Sequence, residues 1–150
     1  MKKAVSLFLL LCLSFCTACH SDDSVGTMMV SFAELYPLSG QIYCTEAYAH
    51  DAGFLDPKML SELYGEETPL VLSAALWYGN RADVVAECAL FRLRDRDDVY
   101  RMAALSAERI AYLTRQYPTL EGEVLRSGEY VVYFVLPDAS FARRLWRRIL

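Results

Sequence analysis

The residues of this chain that could perform chemistry are few. Hydrolytic triads need a basic imidazole, and neither of the two histidines, His20 and His50, lies in a nucleophile motif. Glu46, His50 and Asp51 could touch a metal ion, but a metal site needs three or four convergent ligands. The sequence also has no glycine-rich phosphate loop. We therefore predict no catalytic residue, no metal site and no cofactor.

One carboxylate lies where a strand should bury it. Glu87 shares a face of its predicted strand with Ala89 and Phe91. A buried carboxylate must be paired or protonated. Arg109 lies at the flank of the apolar stripe of a predicted long helix, so we expect it to reach Glu87 across the helix–sheet interface. A structural ion pair is the favoured interpretation, and a role in ligand binding is the alternative.

The first residues have the profile of an export signal. Lys2 and Lys3 precede an apolar run over residues 4–15, and the chain becomes polar from His20. The run is too short to span a membrane, which takes about 20 apolar residues. We predict a signal peptide over residues 1–18.

Cys19 is the predicted site of lipid attachment. It follows Thr17 and Ala18, as in the lipobox of bacterial lipoproteins, whereas Cys16 follows the bulky Phe15. The lipobox usually has Leu or Val where this chain has Cys16. Acyl chains such as palmitate on Cys19 would anchor the protein to a membrane. The alternative is an ordinary secreted protein in which Cys19 is a free or paired thiol.

Beyond residue 18 the sequence predicts one acidic domain. Residues 19–30 are predicted to be the lipidated cysteine and a flexible tether, and residues 31–150 a single domain. This part keeps 13 of the 15 Lys and Arg residues and all 19 Asp and Glu residues, a net charge of −6. Nucleic-acid binding requires a basic footprint, so nucleic acid is excluded as a partner.

Two cysteines remain within the predicted domain, Cys44 and Cys88. Outside the cytoplasm they could form a disulfide. Two buried free thiols are the equal alternative, because sequence separation alone cannot place the two residues together.

The order of the predicted elements indicates an α+β domain. We expect an antiparallel sheet of about four strands in two hairpins, with a long helix between the hairpins, a C-terminal helix and N-terminal helices packed on it. A capping box at Ser31 predicts the start of a bent helix over residues 31–48. The other predicted helices begin at Asp56, at Asp95 or Asp97, and at Asp138. The predicted strands cover residues 70–78, 83–93, 121–126 and 129–136.

The predicted strands are apolar on both faces. We expect helices of the same domain to cover them, the N-terminal pair on one face and the long helix on the other. The alternative is an exposed aromatic surface that binds a protein partner or a flat apolar ligand. That surface would be built from Trp77, Tyr78, Tyr130 and Tyr133.

The last predicted helix ends in a basic patch. It consists of Arg143, Arg144, Arg147 and Arg148. These side chains could face the anionic headgroups of the membrane that holds the anchor. The favoured alternative is that they complement the negative end of their own helix.

Short motifs distributed along the chain resemble a known family. They are Leu63-Tyr64-Gly65, Ala86-Glu87, Ser106-Ala107-Glu108-Arg109, Gln116-Tyr117-Pro118 and Gly128-Glu129-Tyr130-Val131. Together with the lipobox-like start, their order is similar to that in bacterial lipoproteins carrying the domain of unknown function 4358. Residues 36–52 depart from the pattern. The resemblance implies a small, surface-anchored protein without an assigned activity, and it adds no catalytic residue.

These observations favour a lipid-anchored lipoprotein on the extracytoplasmic face of a bacterial cell membrane. We expect a binding or interaction module and not an enzyme. One alternative is a small-ligand carrier with a pocket between helices and sheet. Another is an enzyme accessory subunit centred near Glu87.

Overall fold

A computed structural model describes residues 24–47, 49, 52–65, 68–69, 71–79 and 85–150. The predicted signal peptide, the predicted lipid site Cys19, and His50 and Asp51 lie outside the described residues. The helices are α1 (Val25–Leu35), α2 (Pro57–Tyr64), α3 (Arg96–Gln116) and α4 (Ala139–Ile149). The strands are β1 (Gly40–Cys44), β2 (Val71–Gly79), β3 (Glu87–Leu93), β4 (Glu121–Ser127) and β5 (Tyr130–Leu136). In the part described here, every helix is too short or too polar to cross a membrane.

The strands form one antiparallel sheet in the order β1-β2-β3-β5-β4. This confirms the predicted α+β class, with a fifth strand beside the two expected hairpins. The fifth strand, β1, replaces part of the helix predicted over residues 31–48. It pairs with β2 because Gly40 allows a close approach: a Cβ there would lie 2.3 Å from the indole of Trp77.

The first helix begins earlier than the capping box indicates. Ser24 is the N-cap, and its hydroxyl accepts a hydrogen bond from the amide of Thr27 at 3.1 Å. Ser31 lies inside the helix, where its hydroxyl donates to the carbonyl of Thr27. The prediction that the tether extends to residue 30 is therefore wrong, because Val25 and Met29 are buried on the helix face that packs on the sheet.

The remaining helix starts agree with their local signals. Asp56 accepts from the amide of Lys58, and Asp138 accepts from the amide of Phe141. Asp95 caps the long helix α3 by accepting from two amides of the first turn. Each acidic cap satisfies backbone donors that a helix leaves unpaired at its amino end.

Helices cover both faces of the sheet. α1 and α4 lie on one face, where the rings of Phe32 and Trp146 stack with centroids 5.0 Å apart. α2 and α3 lie on the other face, with Tyr64 and Met102 in that core. The prediction that both N-terminal helices share one face is wrong, because β1 at the sheet edge separates α1 from α2. The residues that form the two cores come from along the described chain, from Val25 to Leu150.

The long helix α3 packs closely on the edge strand β4. A Cβ at Gly122 would lie 2.3 Å from Cγ2 of Ile110, so only glycine permits this approach. Ile110 directly follows Arg109 in the helix. The contact therefore fixes the position from which Arg109 reaches the sheet.

Cys44 and Cys88 are both free and buried. They lie on β1 and β3, which β2 separates, so their backbones are about 10 Å apart across the sheet. A disulfide requires Cα atoms within about 7 Å. Of the two alternatives, free thiols therefore fit the fold, and burial raises the pKa of both thiols, which makes them poor nucleophiles.

Candidate functional site

An ion pair joins the sheet to the long helix. Glu87 is the first residue of β3 and is 1% exposed. The guanidinium of Arg109 donates two hydrogen bonds to its carboxylate, from Nε to Oε1 at 3.0 Å and from Nη2 to Oε2 at 2.7 Å. The structure thus brings together the two residues that strand alternation and the helical stripe single out. A two-point contact of this kind compensates the buried negative charge.

Two tyrosines extend this contact to a second helix. The hydroxyl of Tyr133, on β5, donates to Oε1 of Glu87. The hydroxyl of Tyr64, at the end of α2, lies 2.7 Å from that of Tyr133. Because Tyr133 gives its single proton to Glu87, Tyr64 must donate to Tyr133. We call Tyr64, Tyr133, Glu87 and Arg109 the buried network; it ties α2, β5, β3 and α3 together.

The pKa values of three members of the buried network are raised. Burial, and then the charge of Glu87, raises the pKa of Tyr64 well above its ordinary value. Burial and the neighbouring Tyr64 and Glu87 do the same to the pKa of Tyr133. The hydrogen bond to Glu87 raises the pKa of Arg109. At neutral pH the phenols therefore stay protonated and the guanidinium stays charged. Such an arrangement suits a structural role.

Alkaline pH is expected to destabilise this side of the fold. Burial, and then Glu87, raises the pKa of Tyr78 to about 12, and the pKa values of Tyr64 and Tyr133 are also raised. The ordinary tyrosine value is 10.0, so the unfolded chain loses these protons first. Their contribution is complete below pH 10 and is lost as pH rises through the folded-state values. Chemical unfolding at several pH values above neutrality measures the slope.

The matched variants for this pH test are two tyrosine-to-phenylalanine changes. Tyr64→Phe should cost about 1 kcal/mol at neutral pH and make the alkaline slope shallower, because it removes one buried phenol. Tyr112→Phe removes the hydroxyl of a side chain that is half exposed and should leave the slope as it is. Equal slopes in the wild type and Tyr64→Phe would contradict the role of the buried phenol.

A cleft of about 290 Å³ opens above the buried network, between α2 and α3. Its lining residues are Leu63, Tyr64, Leu105, Glu108, Arg109 and Tyr112. The side chain of Arg109 is 21% exposed, and its guanidinium carbon lies 5.7 Å from the ring centre of Tyr112. Since Glu87 already neutralises Arg109 and Glu108 adds a negative charge, the cleft presents no net positive charge to an anion.

The four aromatic residues proposed as an exposed surface do not form one. Trp77 and Tyr130 lie on the face covered by α1 and α4, whereas Tyr78 and Tyr133 lie on the opposite face. Trp77 and Tyr133 are fully buried. The prediction of a single aromatic surface is therefore wrong, because neighbouring positions of a strand point to opposite sides.

The four arginines of α4 are all exposed but have different surroundings. Arg143 forms an ion pair with Glu123 at 2.5 Å, and Arg144 lies over the ring of Phe141. Arg147 and Arg148 occupy the last turn. Arg147 also lines a cavity of about 300 Å³ beside the end of β4.

The described residues contain no group of three or more metal-ligating side chains. Glu46 accepts a hydrogen bond from the amide of Gly26 at 3.3 Å and contacts the thiol of Cys44.

Comparison with family models, curated proteins and solved structures gave no match. The family resemblance therefore stays a prediction that rests on the short motifs.

Proposed function

We propose that this protein is a lipid-anchored extracytoplasmic domain that works by binding at the surface of a bacterial cell membrane. The signal profile of residues 1–18 and the lipobox-like position of Cys19 support the anchor. The observation that carries the proposal is the position of Ser24, which caps α1 only five residues after Cys19. Five extended residues span at most about 18 Å, so a lipid on Cys19 would hold the domain beside the bilayer.

The state of the buried network supports binding over catalysis. Its carboxylate, guanidinium and two phenols are satisfied by one another. A general acid or base needs a proton affinity near the working pH and access to a substrate. The pKa values of Tyr64 and Tyr133 are raised far above neutral pH, and Glu87 is buried away from any substrate. We therefore assign these residues to the stability of the domain.

A small-ligand carrier is a second candidate, because the cleft between α2 and α3 exposes part of Arg109. Its ligand would be small and neutral or weakly polar, since the cleft offers no net positive charge. Shifts of the Arg109 and Tyr112 resonances on addition of such a compound would support this candidate.

Fractionation of cells expressing the full chain tests the anchor. The wild type should be found in the membrane fraction, with an acylated amino-terminal peptide that begins at Cys19. Cys19→Ala should remove acylation and shift the protein out of the membrane fraction, because the thiol is the attachment site. Cys16→Ala is the matched control and should leave processing unchanged. An intact amino terminus on the wild type, or equal effects of the two substitutions, would overturn the proposal.

A further inference from the structure

The chain enters the described fold at one particular end of the sheet. The strand register places the carboxyl ends of β1, β3 and β4 and the amino ends of β2 and β5 at this end. We call it the entry end. The first turn of α1 lies here, because the amide of Gly26 donates to Glu46, two residues beyond β1. α1 then runs to the opposite end, where the hydroxyl of Tyr36 accepts from the amide of Asp138 at 3.4 Å.

Exposed arginines from three parts of the chain meet at the entry end. They are Arg94 and Arg96 at the start of α3, Arg126 near the end of β4, and Arg147 and Arg148 in the last turn of α4. α4 starts at Asp138, at the opposite end, so its last turn arrives at the entry end. There Arg126 and Arg147 line the same cavity of about 300 Å³.

The carboxylates near these arginines are mostly engaged elsewhere. Glu129 pairs with Arg92 at 2.8 Å, and Asp95 accepts from two amides of α3 at 2.9 and 3.0 Å. Glu46 accepts from Gly26. Asp97 and Asp98 lie in the first turn of α3. Within the described part of the chain, none of the five arginines forms an ion pair.

An exposed aromatic ring lies among the arginines. Tyr100 is 48% exposed, and the guanidinium carbons of Arg126 and Arg96 lie 4.8 and 5.7 Å from its ring centre. A tyrosine has an apolar ring and a polar hydroxyl, a combination enriched at membrane–water interfaces. Tyr100 thus adds a second feature of a headgroup-contacting surface to the positive charge.

We infer that the entry end, with Arg94, Arg96, Tyr100, Arg126 and Arg147, docks on the anionic phosphate headgroups of the bilayer. The inference rests on the proposed anchor at Cys19, which would keep the first turn of α1, at this end, within about 18 Å of its lipid. Charge attraction extends about 8 Å at physiological salt, so a short tether is what makes the contact effective. The mature chain carries −6 overall, and repulsion of its other surfaces favours this one orientation.

Vesicle sedimentation with the unlipidated domain, residues 20–150, tests the docking surface, and this segment contains both described cores. The domain should bind vesicles of mixed phosphatidylglycerol and phosphatidylcholine better than vesicles of phosphatidylcholine alone. High salt should abolish the difference. Arg126→Ala/Arg147→Ala should lower the partition coefficient about 25-fold, since each arginine near the surface contributes about fivefold.

The control is Arg115→Ala, which removes a positive charge from the last turn of α3, at the opposite end of the sheet. It should change the partition coefficient by less than about twofold. A loss of about fivefold in Arg115→Ala, the loss expected for each arginine at the entry end, or no preference for the anionic vesicles, would overturn the docking inference. If the domain shows no preference while the full chain is acylated and membrane-bound, the anchor stands and the docking surface fails. If the domain prefers anionic vesicles while the full chain keeps an unprocessed amino terminus, the docking surface stands and the anchor fails.

Discussion

Replacing Arg109 with leucine is expected to lower the free energy of unfolding by about 3 kcal/mol. The substitution removes the cation that donates to both carboxylate oxygens of Glu87. Glu87 is 1% exposed, so water cannot replace this cation. Urea unfolding followed by tryptophan fluorescence at neutral pH measures the effect.

A double variant separates lost charge pairing from lost packing. In Glu87→Gln/Arg109→Leu the buried charge is gone, while the amide oxygen still accepts from Tyr133. More than half of the lost stability should return. Arg115→Leu is the matched control on the same helix: Arg115 is exposed, so its loss should cost no more than about 0.5 kcal/mol. A double variant no more stable than Arg109→Leu would show that the side-chain stem, and not the ion pair, stabilises the fold.

The ion pair could be predicted because two local periodicities determine where its members point. Strand alternation places Glu87 on the face that α3 covers, and the helical stripe of α3 places Arg109 at its edge. The tyrosines of the network could not be predicted in the same way. Tyr64 and Tyr133 are 69 residues apart, and their contact depends on which face of the sheet α2 covers. A tyrosine within the apolar run of β5, whose hydroxyl needs a partner, is the only local signal.

Helix starts illustrate the same division between local and distant determinants. The caps Asp56, Asp95 and Asp138 were predictable because each hydrogen-bonds to amides two or three residues away. Ser31 has the pattern of a cap but lies inside α1, because burial of Val25 and Met29 extends the helix upstream to Ser24. β1 depends on a distant partner, since Gly40 pairs with Gly79 and approaches Trp77.

The basic patch also changes when topology is known. The sequence groups Arg143, Arg144, Arg147 and Arg148 because they are neighbours in one helix. The fold pairs Arg143 with Glu123 and brings Arg147 to the same cavity as Arg126. Which arginines share a surface depends on the register between β4 and β5 and on the direction of α4. A charge pattern specifies neither.

Phe32→Ala is expected to lower the free energy of unfolding by about 4 kcal/mol, more than Arg109→Leu does. Phe32 is fully buried and connects α1 to α4 and to the sheet. Its ring stacks on Trp146 at 5.0 Å and on Tyr36 at 5.2 Å, and meets the edge of Trp77 at 6.0 Å. Removing it leaves a cavity among three rings that the helices cannot fill without moving. Thermal and urea unfolding measure the loss.

The matched control lies one turn further along the same helix. Leu35 is 59% exposed, so Leu35→Ala should change the free energy of unfolding by less than about 0.5 kcal/mol. The comparison tests whether α1 is part of the domain, because a helix that belonged to a loose tether would tolerate both changes equally. The anchor argument depends on the same point. Only if α1 is firmly packed does a lipid five residues before Ser24 fix which end of the domain faces the membrane.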